Sequence, residues 1–343
     1  MQNILQKISE YYGLKAVSAE KVTKGFMSEN HVIFVGDQNS AQNDAQRFFL
    51  KKYRFDDKER IEEIHTVKSF FAKGGVPVIL PITTKIHGHA AVDVGQTFFA
   101  HDGAYYALFP FINEKQLERG SLTDAAVISL GKMLGHIHLL GAKAKLPVQA
   151  RFNFKLESVE KTLKKIDPIL SSINGKPLLD DFDKLALKNI ELKKNLIQNG
   201  GGVDGLILPS DHLIHGDYLY HNVFFDEHDN VSHVFDFEKT GYSPRTYELL
   251  RSMMYGLVTA DGSLDIRRMK MYVDAYRSVY PISNDELKKG LRLLRLKSAR
   301  GFWVESEHYL KDNTRVDGFL KSDFDRVVYL SEHFEELEGA LLT

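Results

Sequence analysis

His215-Gly216-Asp217-Tyr218-Leu219-Tyr220-His221-Asn222 is followed, fourteen residues past Asn222, by Asp236 within Val234-Phe235-Asp236-Phe237-Glu238. Between the two segments lie short apolar runs at 223–225 and 231–237, with the polar turn 226–230 separating them. That pattern reads as one small β-hairpin. Asp217 and Asn222 stand at the two ends of one tight loop, Asn222 leads into the outgoing strand, and the returning strand ends at Asp236. The spacing lets one amide oxygen and two carboxylates converge on one side of the hairpin. Hard oxygen donors of this kind suit Mg²⁺, which takes phosphate oxygens and water for its other positions. A carboxylate left free of metal can orient and deprotonate a hydroxyl.

Working outward, the upstream part carries strand signals. An apolar run at 32–35, a polar turn over 37–46 and a second run at 48–53 predict a hairpin with a long tip. From 57 to 73 the period changes, with Ile61, Ile64, Val67, Phe70 and Phe71 at three- and four-residue steps. This is an amphipathic helix, capped by Asp56 or Asp57 and ended by Gly74-Gly75. Further strands are predicted at 76–82, 97–100 and 105–109, the last stopped by Pro110. Helical patterning then dominates, at 124–140, at 156–198 with breaks at Pro168 and Gly175-Lys176-Pro177, and from 246 onward. The class is therefore α+β, a small β-rich part joined by a connector near 110–118 to a larger helical part. A cleft is expected between the lobes.

The upstream part also supplies what a phosphate donor requires. Lys51 sits in a predicted strand, and the following helix carries Glu62 and Glu63. A lysine held by a helix glutamate is a positioned cation for phosphate oxygens. Alternation sets Lys51 and Lys52 on opposite faces, and Lys51 directly follows the apolar run. Glu63 lies four and seven residues before Val67 and Phe70 and so flanks the apolar stripe. The turn Gly25-Phe26-Met27-Ser28-Glu29-Asn30 could close over phosphates with backbone N–H groups and Ser28.

Composition narrows the classes. With 343 residues, 43% of them apolar and 27% charged, the chain can bury a substantial core. A formal net charge of −1 gives no strong field toward nucleic acid or an anionic membrane surface. There is no cysteine, which excludes disulfides, thiolate zinc sites and thiol nucleophiles. No apolar run reaches the roughly 18 residues a membrane helix needs, and the polar-interrupted start is no signal peptide. A cytoplasmic protein is expected.

With these residues in place, the chain resembles the aminoglycoside phosphotransferase and choline kinase family. The motif His215-Gly216-Asp217-x-x-x-x-Asn222 with Asp236-Phe237-Glu238 carries the likeness. Lys51, Glu63, Pro110 and the helix holding Leu130-Gly131-Lys132-Met133-Leu134 follow in the family's order. The resemblance implies a bilobal fold similar to that of protein kinases, with an N-lobe at 1–112 and a C-lobe at 113–343. It implies transfer of the γ-phosphate of ATP or GTP, with Mg²⁺, to a hydroxyl of a small-molecule acceptor. By the same resemblance Asp217 is the catalytic base, Asn222 and Asp236 bind Mg²⁺, Lys51 holds the α- and β-phosphates, and Glu63 holds Lys51. Backbone groups near Phe109 and Phe111 would meet the adenine.

Departures from protein kinases favour the small-molecule branch. Leu219 stands where they have lysine two residues past the base, and Glu238 where glycine ends the metal motif. Gly216 replaces their arginine, and no Ala-Pro-Glu segment is present. Tyr247-Glu248-Leu249 stands where this branch often has Tyr-Asp-Leu bracing the catalytic loop, one methylene longer. Homoserine, choline, sugars, antibiotics and protein serine all stay open as acceptors. Two other readings compete. One is a metal-dependent hydrolase with His215, Asp217, His221 and Asp236 as ligands, which leaves Lys51 and Glu63 without work. The other is a non-catalytic nucleotide-binding module. His215 is expected to hydrogen-bond the loop backbone in its neutral form, and His138 to be half-buried and satisfied. Residues 265–300 carry a net +6 and 305–338 a net −6. Such an acidic stretch either attracts a cationic acceptor or pairs with its basic neighbour.

Overall fold

The computed structural model describes residues 2–22, 29–36, 46–85, 96–148, 157–199, 206, 208–259 and 263–342. The chain divides into two compact units, Met1–Lys115 with Ser232–Glu238, and Gln116–Val231 with Lys239–Thr343.

The first unit contains α1 (Gln2–Tyr12), β1 (Ala16–Lys21), β2 (Asn30–Val35), β3 (Gln46–Lys52), α2 (Lys58–Lys73), β4 (Phe99–His101) and β5 (Ala104–Pro110). Its strands form one antiparallel sheet in the order β1-β2-β3-β5-β4. The predicted hairpin is β2 against β3, with Ile33 opposite Phe48 and His31 opposite Leu50. Leu50 in turn faces Leu108 on β5. These alternate positions fill one face, where Ile33, Phe48, Leu50, Phe99 and Leu108 pack with Ile4, Ile8 and Tyr12 of α1. The three α1 residues recur at four-residue steps, the period of one helix face.

Asp57 caps α2 by accepting the Arg60 N–H at 2.9 Å, and Gly74 ends it. The buried face takes Ile61, Ile64, Val67 and Phe71 as the period demands, but also His65 and Lys68, while Phe70 is half-buried. The strand expected at 76–82 does not form. Only Val78 bridges, in parallel with Val234. Pro77 and Pro81 each lack the N–H a ladder needs. What survives is the Ile79 N–H to the Val234 carbonyl at 3.1 Å, with the Val234 N–H returning to the Pro77 carbonyl at 2.9 Å.

The second unit is mostly helical. It holds α3 (Asp124–Gly141), α4 (Val159–Asn174), α5 (Asp181–Asn199), β6 (His212–Ile214) and β7 (Val223–Phe225). After β8 (Val231–Val234), β9 (Gly241–Ser243) pairs antiparallel with β6. Six helices follow: α6 (Arg245–Gly256), α7 (Ile266–Arg277), α8 (Asn284–Arg300), α9 (Trp303–Lys311), α10 (Leu320–Glu332) and α11 (Phe334–Leu342). The break expected at Pro168 is absent, and α4 runs through it. Burial of Ile166, Ile169 and Ile173 on one stripe against α5 and α9 outweighs one lost hydrogen bond. At Gly141 the helix approaches β6 so closely that a Cβ would strike the Leu213 carbonyl. The apolar run 231–237 is strand only to Val234, because Asp236 turns into the left-handed region at φ 64°. Among the described residues no helix is long and apolar enough to cross a membrane.

Candidate active site

In the first unit the site begins at Lys51. Alternation on β3 separates the two lysines as expected. Lys52 pairs with Glu29 at 2.9 Å on the surface, whereas Lys51 is largely buried. Its ammonium lies 3.0 Å from the Oδ1 of Asp236, 185 residues downstream, and 2.7 Å from the Oε1 of Glu238, two residues further on. Burial alone would push this ammonium down, but the two carboxylates outweigh it and hold Lys51 above the usual lysine range. Glu63, expected to hold Lys51, instead pairs its carboxylate with Arg60 at 3.2 Å. Arg60 sits one turn back on the same helix and is itself anchored by donating to the Glu238 carbonyl at 2.6 Å. Glu238 thus stands in the place assigned to the helix glutamate. The residue is visible in the sequence as the departure from glycine after Asp236-Phe237, but nothing local says what it would face.

Lys68 is a further member that the sequence reading missed. It is buried, donates to the Ile79 carbonyl at 2.9 Å, and stands 4.2 Å from the centroid of the Phe109 ring. Burial, aided by the Lys51 charge, pushes it down to about 7. Phe109 is buried on β5 opposite Phe49, and Phe111 lies just past the strand with the Arg47 guanidinium 4.4 Å from its ring centroid. Ser28 lies outside the described residues.

The second unit builds the loop from His215 to Asn222. Gly216 has φ 88°, and a Cβ there would strike the Lys239 carbonyl. Only glycine fits, which accounts for the missing arginine. Glu248 is buried on α6 and braces the loop, accepting the N–H groups of His215 at 3.1 Å, Gly216 at 2.5 Å and Tyr218 at 3.3 Å. Its second side is held by His138 Nε2 at 3.0 Å, and His138 Nδ1 meets the Tyr276 hydroxyl at 2.9 Å. The extra methylene therefore still reaches. Burial pushes Glu248 up, yet the hydrogen bond from His138 and the loop N–H groups hold it below the usual carboxylate range. His138 is fully buried rather than half-buried, and it is satisfied at both nitrogens.

His215 is buried, and its Nδ1 accepts the Asp217 N–H at 3.2 Å, so that nitrogen carries no proton. Asn222 donates its side-chain nitrogen to the Asp217 carbonyl at 2.8 Å, which orients the amide so that a metal could be met only by its oxygen. Asp217 is 14% exposed, with Lys239 Nζ 2.8 Å from Oδ2 and an Arg251 nitrogen 2.5 Å from Oδ1. Burial would raise its pKa, but the Arg251 and Lys239 charges win and hold it well below the usual range. It is a carboxylate at every physiological pH. The hydrolase reading needs His215 and His221 turned to a metal. His215 is committed to the loop, and among the described residues no three His, Asp or Glu gather into a metal cage.

Comparison with known proteins places the chain among phosphotransferases. Homoserine kinase from Methylobacillus glycogenes is 23% identical over 287 residues, 82% of this chain and 77% of that protein. The chain aligns with the structure of a spectinomycin phosphotransferase, solved in complex with ADP and spectinomycin, at a TM-score of 0.65 and 15% identity, covering 99% of this chain and 98% of that one. It aligns with the microcompartment-associated aminopropanol kinase at a TM-score of 0.60 and 17% identity over the whole of both chains. At such identities these structures show the fold. The family model described as phosphotransferase enzyme family matches residues 25–282, and the chain belongs to that family.

Proposed function

We propose that the protein is a kinase moving the γ-phosphate of ATP or GTP to a hydroxyl of a small molecule, with Mg²⁺. The observation that carries this reading is the pairing of the strand lysine Lys51 with Asp236 at 3.0 Å. A buried cation beside a hard carboxylate is what a metal-bound triphosphate requires, and phosphoryl transfer runs largely on positioning and charge neutralisation. In this reading Lys51 holds donor phosphates, Asn222 and Asp236 hold Mg²⁺, and backbone near Phe109 and Phe111 receives the base. Their oxygen donors fit Mg²⁺, which when bound neutralises charge on the phosphates. Asp217 orients the acceptor hydroxyl and takes its proton. Glu238 takes the role first given to Glu63. Expression in the cytoplasm is part of the same reading.

The test is release of nucleoside diphosphate from ATP and GTP against a panel of hydroxyl compounds. Asp217→Ala is expected to abolish acceptor-dependent release while nucleotide still binds. Full turnover by that variant removes the base from the mechanism, and no release on any acceptor leaves only a nucleotide-binding module.

A further inference from the structure

The buried face of α2 is apolar at Ile61, Ile64, Val67 and Phe71, yet it also takes in Arg60 and, about two turns later, Lys68. Polar heads buried in this way need partners, and both find backbone carbonyls. Arg60 donates to the Glu238 carbonyl at 2.6 Å. Lys68 donates to the Ile79 carbonyl at 2.9 Å. From Ile79 the bonding passes on: its N–H reaches the Val234 carbonyl at 3.1 Å, and the Val234 N–H returns to the Pro77 carbonyl at 2.9 Å. Val234 stands two residues before Asp236, where the backbone turns at φ 64°. One helix thus ties down both ends of 234–238, directly through Arg60 and, by way of Ile79, through Lys68.

Stability gives little reason for an ammonium at this place, because an apolar chain of similar volume is often tolerated where a charge is buried. The segment it holds does need the anchor. Pro77 and Pro81 have no N–H to offer, and Leu80 is exposed. Ile79 is buried, so its carbonyl without the Lys68 donor would sit unsatisfied behind Val234. Burial presses the Lys68 ammonium down to about 7, but the neutral amine still carries N–H bonds, and the tie survives loss of the charge. Resting on the kinase reading above, we propose that Lys68 is a positioning residue for Asp236, fixing through Ile79 and Val234 where that carboxylate meets Mg²⁺ on the donor nucleotide.

The test is calorimetric binding of the β,γ-imido analogue of ATP or GTP to the whole protein, with and without Mg²⁺. Lys68→Met keeps the length of the chain and removes the donor. It is expected to weaken binding about tenfold with Mg²⁺ and less than about threefold without it, the scale of one well-placed polar contact. Lys68→Arg, which keeps donors and charge, should restore the Mg²⁺-dependent part. Lys68→Gln, with a donor on a shorter arm, should show a smaller loss of the same kind, and it carries the comparison if Lys68→Met does not fold. Equal weakening with and without Mg²⁺ overturns the proposal, because Lys68 would then act through Phe109 or on the fold as a whole. Unchanged affinity in both conditions overturns it as well. Failure of the unaltered protein to bind either analogue is a different failure: it ends the kinase reading, and this inference with it.

Discussion

Gly216 and Glu248 show how two single residues set the loop that carries Asp217. Gly216→Ala forces a side chain into positive φ and onto the Lys239 carbonyl. Loss of at least ~2 kcal/mol is expected, read by urea unfolding, with activity falling further because Asp217 is the next residue. Glu248→Gln puts an amide N–H₂ where three backbone N–H groups and His138 now converge. Leaving buried donors without acceptors costs about 1–3 kcal/mol each, so a destabilisation of several kcal/mol is expected in the same assay. Glu248→Ala should be no milder. Both residues could be read as points of departure in the sequence, because each breaks a motif. Their reasons lie in the Lys239 carbonyl and in His138, which spacing does not locate.

At the scale of elements, α1 and α2 make separable predictions. Ile8 is fully buried between α1 and the sheet, so Ile8→Ala should cost about 2–5 kcal/mol, measured by thermal or denaturant unfolding. On α2, His65 is buried between the Tyr53 hydroxyl at 2.7 Å and Thr97 Oγ1 at 2.6 Å. Burial first, then the Lys68 and Lys51 charges, push it down to about 3 from 6.5. The unfolded chain therefore takes a proton below about 6.5 that the folded one refuses. Stability is complete above that pH and falls by up to several kcal/mol as pH drops toward 3. Unfolding curves at about pH 7.5 and about pH 5 should differ accordingly, and the difference should shrink in His65→Gln. Periodicity revealed α2, the β2–β3 hairpin and the C-terminal helices, because repeated burial leaves a repeated pattern. It failed at 76–82, where the apolar run was real but prolines denied the ladder its donors. It failed again at α4, where packing of Ile166, Ile169 and Ile173 carries the helix through Pro168.

For the whole molecule, the proposed machinery is divided by unit. Lys51, Asp236 and Glu238 belong to the first, and Asp217, Asn222, Lys239 and Arg251 to the second. Substitutions should divide in the same way. Lys51→Met should raise KM for the nucleotide about tenfold or more with KM for the acceptor little changed, and steady-state kinetics with each substrate varied will check it. Asp217, Asn222 and Asp236 are proposed from the sequence alone because their spacing is local. The partner of Lys51 could not be, since the spacing offers Glu62 and Glu63 on α2, and only the folded chain brings Glu238 to within 2.7 Å of its ammonium.

The passage of Ser232–Glu238 into the first unit, before the chain returns at Lys239, forbids a simple division of the gene. A fragment ending at Lys115 would keep Lys51 but lose both counter-ions, and Val78 would lose its bridging neighbour. Such a half should not become soluble alone. Adding a peptide spanning 232–238 in trans, or grafting that heptapeptide by a linker, is what would rescue it. Swapping whole halves between homologues must likewise carry those seven residues with the sheet they serve.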